Sequence, residues 1–77
     1  MYRIRDLRED RDLSQAEIAR VIKTTQQQYS KIETGKADIS GEKLILLAEF
    51  YNISVDYILG LTQEPRPLKA AGNNQKR

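Results

Sequence analysis

Gln26, Gln27 and Gln28 place three side-chain amides in a row where one helical pattern stops and another begins. An amide presents a donor and an acceptor side by side, which matches the N6 and N7 edge of adenine in the major groove of DNA. Such pairing requires the amides to stand on the first turn of a short helix that fits the groove. At about 100° of rotation per residue, Gln27, Ser30, Lys31 and Thr34 share one side of that helix, and Tyr29 and Ile32 share the other. Gln26 lies at the leading end and Gln28 on a flank. The outward side carries amides and hydroxyls for base edges, one cation, and no acid. Glu33 turns back toward the core. Glutamines in this pattern also suit an ordinary polar surface; their place directly after a threonine cap, at the partly positive end of a helix, favours the nucleic-acid reading.

Five helices and no strand are expected to position these groups, an all-α architecture. The first spans residues 2–10, with Ile4 and Leu7 inward and arginines alternating with acids outside. Ser14 caps the second, and Glu17 three residues later completes a capping box. Ile18, Ala19 and Ile22 form its buried stripe. Lys23-Thr24-Thr25 makes the turn, with Thr25 capping the third helix over residues 26–34, which stops at Gly35. Ser40 caps the fourth, whose stripe is Leu44, Leu47, Ala48 and Tyr51. Ser54 caps a short fifth helix containing Val55, Tyr57, Ile58 and Leu59. Residues 1–62 are expected to be the helix-turn-helix unit and residues 63–77 a flexible basic tail.

A chain of 77 residues forms a single small domain with little room for an enzymatic cleft. It has no cysteine and no histidine, so no metal, cofactor, thiol or imidazole chemistry is expected. The four glycines, among them Gly35, Gly41 and Gly60, are scattered and make no phosphate loop, and the three serines before helices read as caps. The chain is therefore not expected to be an enzyme. No apolar run is long enough to cross a bilayer, and a cytoplasmic, membrane-free protein is expected. The net charge of +2 is modest, but its distribution is uneven. Residues 38–64 hold Asp38, Glu42, Glu49, Asp56 and Glu64 against Lys43. Residues 14–36 hold Arg20, Lys23, Lys31 and Lys36 against Glu17 and Glu33, and the tail adds four cations after Glu64. One positive and one negative end would orient the molecule on a polyanion.

Taken together, Leu13-Ser14-Gln15, Ile18-Ala19, Thr25-Gln26-Gln27, Ile32-Glu33, Gly35-Lys36 and the closing run from Ile53 to Leu59 resemble the Cro and phage-repressor type of helix-turn-helix domain, the XRE family. The resemblance covers residues 3–61. It implies a five-helix, lambda-repressor-like fold and a transcriptional regulator, commonly a repressor, that binds double-stranded DNA as a homodimer. Gln26, Gln27 and Lys31, with Gln28 beside them, would read bases. Gln15 would bind a backbone phosphate and brace the recognition helix; Ser14, Thr25, Ser30, Thr34 and Lys36 are the further phosphate candidates. Ala19 would let the two helices cross closely, Tyr29 and Ile32 would fill inward positions, and Arg8 and Glu33 would form a partly buried ion pair.

Two departures stand out. The family often has glycine where this chain has Lys23, at a cost of about 1 kcal/mol if a positive φ is kept. Tyr29 replaces a branched aliphatic residue, and its hydroxyl is expected to reach the rim, where a phosphate could meet it. Tyr57, Leu59 and Leu61 are the expected dimer contacts. The alternative is an antitoxin component or adaptor of the same fold, acting mainly through a protein partner docked on the acidic fourth and fifth helices.

Overall fold

The computed structural model describes residues 2–67. Five helices follow in order: α1 (Ile4–Asp10), α2 (Gln15–Val21), α3 (Gln26–Glu33), α4 (Gly41–Tyr51) and α5 (Val55–Ile58). Among the described residues there is no strand, and the architecture is all-α as the apolar spacing predicts.

Four of the five helices begin on a hydroxyl. The side-chain oxygens of Ser14, Thr25, Ser40 and Ser54 accept from the backbone N–H of Glu17, Gln28, Lys43 and Tyr57, satisfying donors that a helix start leaves open. At Ser14 the bond is reciprocated, since its own N–H donates to the Glu17 carboxylate at 2.8 Å. The bond from the Ser14 N–H, with the Ser14 hydroxyl beside it, holds the Glu17 carboxyl below the usual carboxylate range. The first helix differs: Arg3 precedes it with no side-chain cap, and it starts at Ile4 rather than at residue 2.

Positive φ values mark the chain reversals. Asn52 ends α4 in the left-handed region at φ 57, and Gly35 follows α3 at φ 82. Lys23 keeps the left-handed conformation at φ 62, so the turn between α2 and α3 is preserved despite its side chain.

The core gathers one stripe from each helix. Ile4, Ile18, Ala19, Ile22, Tyr29, Ile32, Leu47, Tyr51 and Ile58 are all buried. Each fully buried aliphatic side chain removes enough apolar surface from water to stabilise the fold by roughly 1.5–3 kcal/mol. Leu7, Leu13, Leu44 and Ala48 pack around them. Ala19 of α2 is 2% exposed.

The two ends of the described chain are joined by Arg3. Its backbone N–H donates to the Ile58 carbonyl at 2.8 Å. Its guanidinium donates to the carbonyls of Tyr57 and Thr62 and to the Gln63 amide oxygen, and lies 4.2 Å from the centre of the Tyr57 ring. The Ser54 N–H donates to the Pro65 carbonyl at 2.8 Å, so packed chain continues past residue 62. The rest of the expected basic tail, residues 68–77, lies outside the described residues.

Candidate nucleic-acid interface

Helix α3 has two unlike sides. Tyr29 and Ile32 are 0% and 6% exposed and tie it to the core. Gln26, Gln27 and Lys31 are exposed, while Gln28 and Ser30 are half-buried. The first turn of α3 contains no acid. Thr25 stands before it, exposed, with its oxygen accepting the Gln28 N–H at 3.1 Å, and its hydroxyl hydrogen remains for an outside acceptor. An amide pair, a cation and a helix N-terminus thus share one surface, a combination suited to base edges and phosphates.

The inner end of α3 is held by charge. Arg8 of α1 and Glu33 meet in a forked pair, Nε to Oε2 at 2.7 Å and one terminal nitrogen to Oε1 at 2.9 Å. The Glu33 side chain is 3% exposed and that of Arg8 14%. Arg8 donates a third bond to the Leu13 carbonyl. The Gln15 amide nitrogen, at the start of α2, also donates to Glu33 Oε1 at 3.1 Å. One carboxylate therefore joins three helices. Burial works to raise the Glu33 pKa, but the hydrogen bond from Arg8 and the other donors outweigh it and leave the carboxyl below its ordinary range. The Arg8 guanidinium is held still more firmly in its charged form, first by its hydrogen bond to Glu33.

Tyr29 does not reach the rim. It is 0% exposed and its hydroxyl is buried beside Glu33, without hydrogen-bond geometry to a partner among the described residues. Burial, then the neighbouring Glu33, pushes the phenol well above its usual value. The branched aliphatic residue is thus replaced by a deeper ring, not by a surface hydroxyl, and no phosphate can meet it. Thr34, directly after the last residue of α3, uses its hydroxyl within the chain. Although exposed, its hydroxyl donates to the Ser30 carbonyl at 3.0 Å at the far end of α3. Phosphate oxygens only accept, so a hydroxyl whose hydrogen is used internally suits them poorly. Ser14, exposed, accepts from Glu17 and keeps its hydrogen; Lys36 is exposed in the loop after Gly35.

Elsewhere, Tyr57 is covered by Arg3 and Leu59 is half-buried, whereas Leu61 is 72% exposed. Ile45 and Phe50 of α4, unmarked in the sequence reading, are 54% and 40% exposed. The signal was present: in the run from Leu44 to Leu47, Ile45 falls off the stripe made by residues 44, 47, 48 and 51. Among the described residues no group of acids is arranged to hold a metal, and no helix is long and apolar enough to cross a membrane.

The chain is 38% identical over 65 residues to YobD of Bacillus subtilis (strain 168), an uncharacterized HTH-type transcriptional regulator. That stretch is 84% of this chain but 58% of YobD, so the chain spans under two thirds of its relative's length. No solved structure matches. A family model described as helix-turn-helix matches residues 4–58, from the start of α1 to the end of α5, with the capped α2, the Lys23 turn and the glutamine-led α3 at its centre. The chain belongs to the XRE-type helix-turn-helix family.

Proposed function

We propose that the protein is a sequence-specific DNA-binding regulator of transcription, acting as a repressor, which enters the major groove with α3. One observation carries this reading: α3 turns Gln26, Gln27 and Lys31 outward while the side chain of its only acid, Glu33, is covered and paired with Arg8. In this reading Gln26, Gln27 and Lys31 contact base edges, with Gln28 on the flank. Ser14, Gln15, Thr25, Ser30 and Lys36 contact phosphates; Thr34 is the weakest of the set. The description of YobD as a transcriptional regulator supports the assignment. Repression rests on the resemblance to phage repressors.

On DNA the protein acts as a homodimer, with two α3 helices about 34 Å apart in successive major grooves. The exposed Ile45, Phe50 and Leu61 favour an apolar contact between copies over one made by Tyr57, which Arg3 already covers. The same residues favour the second reading, an antitoxin or adaptor that docks a protein partner there. Selection from random duplex DNA at two salt concentrations tests the proposal. A shared motif with two half-sites is expected, and each neutralised phosphate makes the slope of log affinity against log salt more negative by about 0.9. Recovery of unrelated sequences, bound equally well, would refute base reading. Repression is checked by placing the recovered site across a reporter promoter, where activation would overturn it.

A further inference from the structure

We infer that Glu33 is a positioning residue for DNA binding: its carboxylate holds the Gln15 amide in the one orientation that offers a donor to a DNA phosphate. The inference rests on the proposed phosphate contact of Gln15 and extends it to a residue that DNA never touches.

The chemistry is decided by which partner can give a hydrogen. An ionised carboxylate only accepts, so the Gln15 amide must turn its nitrogen toward Glu33, as the 3.1 Å contact records. That nitrogen has two hydrogens. Glu33 takes one, and the second is left on a nitrogen whose place is fixed. A phosphate oxygen also only accepts, and therefore needs that second hydrogen. A freely rotating amide would present its carbonyl oxygen about as often, and the oxygen repels phosphate.

Glu33 is itself a rigid holder. Arg8 grips both of its oxygens, and its side chain is 3% exposed. The held amide belongs to the first residue of α2, and the holder is the last residue of α3. The orientation of the α2 amide is therefore set by the same helix that carries the base-reading glutamines. A shift of α3 in the groove would move the phosphate contact with it. In this way the backbone contact and the base contacts share one register.

The test separates holding from folding. Replacing a buried ion pair by apolar side chains of similar volume often leaves a fold intact, whereas removing one partner does not. Four proteins are compared on a duplex recovered by the selection described above: the parent, Gln15→Ala, the pair Arg8→Met with Glu33→Leu, and all three changes together. Thermal unfolding establishes that each is folded. In the parent, Gln15→Ala should weaken binding about tenfold, the size of one hydrogen bond to a charged group. The salt slope should not change, because no cation is lost. In the apolar-pair background the same change should cost less than twofold, because the amide is already adrift. A full tenfold loss there would overturn the role of Glu33 and leave the Gln15 contact standing. No loss in the parent would overturn the Gln15 contact, and the role of Glu33 with it. If the apolar pair fails to fold, the Gln15 side-chain amide signals of the intact parent decide the matter. One hydrogen shifted by its bond to the Glu33 carboxylate and protected from exchange with solvent is expected; shifts and exchange rates matching those of the exposed Gln26 and Gln27 amides would refute the holding.

Discussion

The two flanks of α3 differ in what they commit. On the inner flank, Tyr29 and Ile32 are buried and Glu33 is engaged by Arg8 and Gln15. On the outer flank, Gln26, Gln27 and Lys31 are exposed, and among the described residues the Thr34 hydroxyl reaches only the Lys31 backbone carbonyl, not its side chain. An eight-residue helix is too short to be stable alone, so it is ordered by what its inner side touches. The outer groups are left free to be chosen for a ligand. The contrast implies that changes on the inner flank should be read first as lost fold, with recognition affected only through the Gln15 amide that Glu33 holds, and changes on the outer flank as lost recognition alone.

Glu33→Ala should give the largest effect. It strands the Arg8 charge with little access to solvent, and a loss of about 3–5 kcal/mol in unfolding free energy is expected by chemical denaturation. Acid should erode the same interaction. The folded-state carboxyl lies below its ordinary value of 4.5, so its contribution is complete above that value and disappears as pH falls through the depressed one. A midpoint of thermal unfolding that stays level from pH 6 to pH 3 would break the contrast from the inner side. At the alkaline end the sign reverses. Burial pushes Tyr51 up to about 12, so the stability it lends is present below its ordinary value of 10 and is lost as pH rises through 12.

Gln27→Ala comes next and belongs to the outer flank. Binding to the best duplex should weaken by about 1–3 kcal/mol in a titration, with the unfolding midpoint unchanged. A fall in stability with no change in affinity would invert the comparison. Lys23→Gly should stabilise the fold by about 1 kcal/mol, because the residue already adopts φ 62 and glycine removes the strain. The gain should appear equally with and without DNA if the turn serves only to join the flanks. Smallest of all is Arg5→Ala. Its pair with Glu9 at 3.1 Å is exposed on both sides, and about 0.5 kcal/mol or less is expected. The two Arg–Glu pairs thus calibrate each other.

Much of this arrangement is legible in the chain because it is local. Ser14, Thr25, Ser40 and Ser54 announce four helix starts, Gly35 announces one end, and the apolar spacing assigns the core of α2 and α4. The start of α1 was two residues off because no hydroxyl marks it. Contacts that span the sequence were less accessible. Periodicity places Gln15 at a helix start and Glu33 on an inner side, but it does not say that they touch. The family resemblance supplied the Arg8–Glu33 pair, yet the depth of Tyr29 depended on how much room the assembled core left for its ring. The hold of Ser54 on Pro65 likewise comes from a chain path that composition reads only as a proline-rich ending.

The grip of Arg3 bears on how this small protein comes apart. Helices made of near neighbours would ordinarily fray one by one, from whichever end is weakest. Here a single guanidinium reaches carbonyls 54 and 59 positions away, so opening the beginning of the molecule also opens its close. Melting should therefore be all-or-none, and the amide proton of Arg3, bonded to Ile58, should exchange with solvent only as often as the entire domain unravels.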